Sequence, residues 1–308
     1  MGFLLQRAAR WVGFLVLIGM WPRVGAVAQT LCVVKGAGYP EFQEAAEGFW
    51  EGVADRGHSR RGAEYLLGSD SREVVADGIR KQSPALVFAV GARAAQWTQE
   101  VLPDIPMVFA LVYDPVRAGI LGGSGGPRIH TSGVIAAVPP AVQWQALKPI
   151  YPGLACVGLL YSRNGIAVFE AVKDLLQSEG VAVEAQLIRE SGDPAAALAQ
   201  MSDIDLFWMT PDPTAFSVWN REAVFRSLRE RGVPILAPSP KFLQGSLGAD
   251  IAICVDPRRN GRQAAEIALD LLSGEGRPLL PEAPRDWTVF VKAGRSGLPS
   301  GINVTYVR

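Results

Sequence analysis

The residues able to do chemistry lie in six short segments, each following an apolar run: KGAGYPEF (35–42), GARA (91–94), YDPV (113–116), YSRNG (161–165), TPDPT (210–214) and PSPK (238–241). Their types favour binding over catalysis. Histidine occurs only at His58 and His130, outside any ligand-spaced cluster, so a zinc site or a serine–histidine pair has little to draw on. The carboxylates show no pairing for acid–base work. Asp114, Asp212 and Asp256 each precede a proline, a pattern of turns. Arg93 opens a helix after Gly91, where free backbone N–H groups and the helix dipole favour an anion such as a carboxylate. Tyr39, Tyr113, Tyr161 and Trp208 are aromatics near strand ends. Each alone fits core packing as well as ligand contact, but four near one edge could sandwich a flat or apolar ligand.

Other motifs fail on context. GGSGG (122–126) has the G-x-S-x-G spacing but stands in a glycine-rich loop before Pro127, not at a strand-to-helix turn. GAG (36–38) would need a third glycine at the position of Glu41, with Pro40 beside it, so no dinucleotide loop forms and no cofactor is expected. NVT (303–305) is a formal glycosylation sequon inside an expected terminal strand. Cys32, Cys156 and Cys254 sit in apolar strand-like runs and read as buried thiols; an oxidising compartment would permit one disulfide among the three.

The elements that must position the six segments alternate in texture. LCVV, ALVFAV, MVFALV and SGVIAAV are continuously apolar. In PEFQEAAEGFWEGVADRG, by contrast, Phe42, Ala45, Ala46, Phe49, Trp50 and Val53 recur at helical steps. After Pro139 and Pro140 a second series begins: CVGLLY, a helix over 168–178, VAVEAQLI, DLFWMT, a helix through FSVWNREAVFRSLRERG, and VPILAPS. Strands apolar on both faces and separated by helices indicate α/β architecture with covered parallel sheets. The break near 139–142 divides the chain into two lobes. In open parallel sheets ligands bind beyond the carboxyl ends of the strands, so the six segments are expected to line two facing edges of a cleft, with Asp114 on its rim.

Composition agrees. At 308 residues, 49 % hydrophobic and 19 % charged, the chain can build two ordinary cores. Arg7 and Arg10, the apolar run WVGFLVLIGMW (11–21) and AVA (26–28) have the order of a secretory signal peptide cleaved after Ala28. That run is shorter than the roughly 20 residues of a spanning helix. Without residues 1–28 the chain carries 27 basic and 30 acidic side chains, a net −3, which offers no electrostatic footprint for nucleic acid.

FAVGARAAQ, IPMVFALVYDPVRAGI, the SGV after the glycine-rich loop, LKPIYPGLACVGLLY, PILAPS, DPRRNGRQAAEIALDLLSGEGRPL and the closing INVTYV together resemble the tryptophan/tyrosine-type substrate-binding proteins of ABC transporters. The resemblance spans nearly all of the mature chain. It implies the type I periplasmic-binding fold: a first lobe from 29–139 and 255–308, a second from 140–254, and hinge crossovers near 138–140 and 254–257. By position it implies ligand contacts from Gly38, Tyr39, Gly91, Ala92, Arg93, Tyr113 and Asp114 in the first lobe. In the second it implies Ser162, Arg163, Asn164, Asp212, Thr214 and Ser239. Many members carry a hydroxyl residue where this chain has Ala92, Asn-Ser where it has SRNG, and Thr-Asp-Asn where it has TPDPT.

The expected function is therefore capture of a small ligand, an amino acid or another apolar or aromatic carboxylate, by an exported, periplasmic monomer serving an ABC permease. A ligand sensor for a membrane receptor kinase uses the same fold with a different partner. A secreted hydrolase using Ser124 or a carboxylate is the third reading, and it lacks a catalytic constellation.

Overall fold

The computed structural model describes residues 29–59, 62–122, 130–189, 192–212, 214–216, 221–245, 248–274, 280–292 and 304–307. The expected signal peptide (1–28), Ser124 and Asn303 of the sequon lie outside the described residues.

The first lobe runs β1 (Leu31–Lys35), α1 (Pro40–Asp55), β2 (Glu64–Leu66), α2 (Arg72–Lys81), β3 (Leu86–Val90), α3 (Ala92–Val101), β4 (Met107–Val112) and β5 (Thr131–Ile135). Its strands form one parallel sheet in the order β2-β1-β3-β4-β5. Strand side chains alternate between faces, and both faces are buried. Leu31 and Val33 join Phe49 and Trp50 of α1 in one core, while Cys32 and Val34 join Ile79 of α2 and Trp97 of α3 in the other. Local sequence sets the helix starts: Pro40 follows an extended Tyr39, and Ser71 Oγ accepts from Val74 N at 3.4 Å.

The second lobe runs α4 (Pro140–Leu147), β6 (Cys156–Ser162), α5 (Ile166–Ser178), β7 (Ala182–Ile188), α6 (Pro194–Leu198), β8 (Leu206–Trp208), α7 (Arg221–Glu230), β9 (Ile235–Ala237) and β10 (Ile251–Val255). The chain then returns to the first lobe as α8 (Pro257–Ser273), capped by Asp256 Oδ1 accepting from Arg259 N at 3.0 Å and ended by Gly274 at φ +71°. Ala264, Ala265, Ile267 and Ala268 of α8 pack into the α1 core.

The end of the chain departs from expectation. β11 (Trp287–Lys292) and β12 (Val304–Val307) extend the second sheet, whose order is β12-β11-β10-β9-β8-β6-β7, rather than joining the first lobe with the rest of 255–308. The reason is packing: Val289 and Val291 are fully buried in the second lobe's core beside Val157 and Leu236. β11 runs antiparallel to β10, so this sheet is mixed. The three cysteines are free thiols, with Cys32 and Cys254 buried.

The chain therefore crosses between lobes three times, after β5, after β10 and before β11. Helix α8 ties these crossings together. Asn260 Oδ1 accepts from Leu111 N at 3.2 Å, and Asn260 Nδ2 donates to Ile135 O at 3.4 Å. One turn on, Gln263 Nε2 donates to Glu282 Oε2 and Ala283 O, both at 3.0 Å.

Candidate functional site

The first lobe brings three strand-end loops together. After β1 the chain passes closely under α3: Gly36 N donates to Val90 O at 3.0 Å, and a Cβ on Gly36 would stand 3.1 Å from Ala94 N. Gly38 and Tyr39 are exposed at the end of this loop, with Tyr39 edge-on to Phe42 at 5.5 Å. Gly91, at φ +85°, turns the chain from β3 into α3 and supplies no side-chain cap. A Cβ there would strike the Phe42 ring at 2.6 Å. The first N–H groups of α3 thus open at the same edge as Tyr39. Arg93 is exposed and reaches back, with Nη1 3.4 Å from Gly36 O.

The third loop follows β4. The register of β4 against β5 shifts between Phe109 and Val112, and Leu111 there adopts a left-handed φ of +55°. Such a bulge re-aims the residues that follow it. Tyr113 comes next: the residue is 43 % exposed, but its hydroxyl donates to Pro238 O of the second lobe at 2.9 Å. Desolvation at that end of the side chain raises the phenol pKa above its usual value. Asp114 closes the turn beneath, with Oδ1 accepting from Arg117 N at 2.9 Å and its carbonyl from Ala118 N at 3.0 Å. Its side chain is a turn former in an exposed position.

In the second lobe two of the expected contacts turn inward. Asp212 is 3 % exposed, and its carboxylate accepts from Ser162 N (2.7 Å), Ser162 Oγ (2.9 Å), Thr214 N (3.0 Å) and Ala215 N (3.1 Å). Ser162, 2 % exposed, accepts in turn from Asn164 N at 3.2 Å. The aspartate thereby locks the loop after β6 to the loop after β8. What this lock presents outward is Arg163 and Asn164, with Asn164 Nδ2 3.4 Å from Thr214 Oγ1. Ser239 is half-buried beside Pro238, after β9.

The two edges face one another, since Tyr113 reaches Pro238 and Arg117 Nη1 donates to Asn164 O at 3.0 Å. Arg117, Pro238 and Gly165 escaped the sequence reading. Gly165 is required because a Cβ there would meet Asp212 Oδ2 at 2.2 Å. No local signal reveals these three, since each matters through a partner 47 or more residues away. Tyr161 and Trp208, the other strand-end aromatics, sit with the core: Tyr161 stacks on Phe169 at 3.8 Å, and Trp208 is 2 % exposed.

Residues 32–284 match the family described as ABC transporter substrate binding protein. The chain belongs to that family. A tyrosine-binding protein from Clostridioides difficile is 21 % identical over 266 residues, which is 82 % of this chain and 75 % of that protein. Among the solved structures that share the fold are two substrate-binding proteins. One is the ligand-free, open structure of a substrate-binding protein with adhesive properties from Clostridium difficile: TM-score 0.73, 20 % identity, 91 % of this chain and 99 % of that one. The other is an ABC domain from Streptococcus pneumonia in complex with L-Trp: TM-score 0.56, 20 % identity, 85 % of this chain and 92 % of that one. The architecture here is thus that of the type I periplasmic-binding proteins.

Proposed function

We propose that the chain is an exported solute-binding protein that closes on an aromatic amino acid, tyrosine or tryptophan, and delivers it to an ABC permease. The observation that carries this reading is the pairing, on one edge of the first lobe, of two exposed tyrosines with an uncapped helix start. Tyr39 and Tyr113 flank a flat side chain. The first N–H groups of α3, with Arg93 beside them, receive the carboxylate. Asn164, Arg163 and Thr214 meet the ligand from the second lobe, while Asp114, Ser162 and Asp212 shape the loops. The relative named for tyrosine binding and the neighbour holding L-Trp support the ligand class.

Isothermal titration of residues 29–308 with L-tyrosine and L-tryptophan tests the reading. A ligand at 100 times its Kd also stabilises the fold by about 2.7 kcal/mol, visible as a thermal shift. Binding of either, weakened by Arg93→Ala and Tyr39→Ala, is the expected result. Neither heat nor shift with both amino acids would remove them as ligands. Export is checked separately: the secreted protein should begin at Gln29.

A further inference from the structure

We infer that β7 is a self-pairing edge, on which a second copy of this chain docks strand to strand, in place of the monomer expected above. The described sheets have four edges: β2 and β5 in the first, β12 and β7 in the second. Strand β2 has three residues and β12 has four. The outer edge of β5 is taken by the third crossing, where Ile135 N donates to Glu282 O and Glu282 N to Gly133 O, both at 2.9 Å. Strand β7 is seven residues long and keeps one register with β6 from Ala182 to Ile188. Natural sheet edges are blunted by shortness, proline, lysine or a bulge. Strand β7 has none of these.

The bonds on its inner side define the free one. Ala182 N donates to Ala155 O at 2.8 Å, so Ala182, Glu184, Gln186 and Ile188 turn their main-chain groups toward β6. Cys156 O, one residue on, accepts from Asp205 N at 2.9 Å on the β8 side, as the alternation requires. Val183, Ala185 and Leu187 therefore turn N–H and C=O outward, where no described residue bonds them. Leu187 is 42 % exposed, and Val183 and Ala185 are half-buried.

The strand fits its own reverse. With a two-fold axis at Ala185, that residue faces its copy, and Val183 faces Leu187 of the second copy. Every outward N–H and C=O of both strands is then paired, and each exposed Leu187 gains an apolar neighbour. On the other face Glu184 stands opposite Gln186, whose amide donates to the carboxylate. Glu184 is already fixed there, its Oε2 accepting from Ser202 N at 2.8 Å. Moving the axis to Glu184 would set two carboxylates against each other, which is destabilising. Moving it to Gln186 would place Val183 opposite Arg189. Side-chain pattern and charge thus select one register. The axis reverses strand direction, so the ligand edges of the two second lobes lie at opposite ends of the dimer. Neither cleft is covered, and the pairing holds whichever small molecule the cleft accepts.

Sedimentation velocity of residues 29–308 at rising concentration tests the pairing, with melting temperatures recorded alongside. The wild type is expected to pass from one chain mass to two. Leu187→Lys sets a charge opposite Val183, and Ala185→Pro removes an outward N–H, a change an edge strand tolerates. Both variants are expected to stay at one chain mass. Val74→Lys, at another exposed apolar residue, is expected to dimerise like the wild type. A wild type that stays at one chain mass up to its highest soluble concentration overturns the pairing. So does a dimer that survives both strand variants, or one that Val74→Lys dissolves as well. Should Ala185→Pro fail to fold, Leu187→Lys decides on the same criterion.

Discussion

Asp114 and Asp212 look alike in the sequence, each an aspartate before a proline at the end of a strand, yet their surroundings assign them different work. Asp114 is exposed and serves a turn within its own loop, whereas Asp212 is 3 % exposed and accepts four hydrogen bonds from two loops. Removing a buried acceptor leaves its donors unpaired, at about 1–3 kcal/mol for each. Asp212→Ala is therefore expected to cost at least about 3 kcal/mol, and Asp114→Ala under about 1 kcal/mol, in urea unfolding. Equal costs for the two would refute the lock described here. Gly165→Ala should resemble Asp212→Ala, because its Cβ would stand 2.2 Å from Asp212 Oδ2. The sequence makes both aspartates legible as turn formers and no more. Burial of Asp212 depends on Ser162, 50 positions earlier, and no local pattern encodes that meeting.

The pairing of α1 with α8 is an element-scale case of the same limit. The periodicity of α1 is plain in the sequence, but Gly48, Gly52 and Gly261 read there only as weak points in a helix. In the fold they permit contact. A Cβ on Gly48 would lie 1.9 Å from Arg258 O, and one on Gly261 the same distance from Ala45 O. Gly261→Ala gains about 1 kcal/mol of helix propensity. Overpacking costs about 1–3 kcal/mol, and here the obstacle is backbone that cannot rotate away. Net destabilisation is expected in chemical unfolding, and a stabilised variant would contradict the close approach. Along the outer side of the same pair, Glu51 bonds to Arg258 and Arg262, and these hydrogen bonds hold its carboxyl at about 2. A folded value below the usual carboxylate range means that the contribution is present at neutral pH and lost as pH falls from about 4.5 toward about 2. The melting temperature of Glu51→Gln should thus trail the wild type slightly at pH 7 and converge with it in acid. The gap should be small because the pair is exposed and screened.

At the scale of the whole molecule the two-lobed α/β plan was legible, because continuously apolar strands can only be buried on both faces. Two of the three crossings were legible as well, near Pro140 and near Pro257. The third was not. Its segment, 280–286, has no apolar run, and nothing local tells β11 to pair antiparallel with β10 rather than return to the first sheet. What unites the crossings is α8, a helix whose sequence shows an amphipathic stripe but not the use of its polar members. Asn260 is 3 % exposed and bonds both to the bulge at Leu111 and to Ile135 at the end of β5, so one side chain fixes two strand ends beside the hinge. Asn260→Ala strands the Leu111 N–H in a site water reaches poorly, so the lost bonds should appear first as local opening rather than as global unfolding. Amide hydrogen exchange is expected to quicken at Leu111 and over 135–139. Phe88 in β3 and Leu159 in β6, both fully buried, should slow or quicken only with overall stability. Exchange that rises equally at all these sites would make Asn260 an ordinary core residue. A rise confined to the crossings makes it the anchor about which the lobes turn.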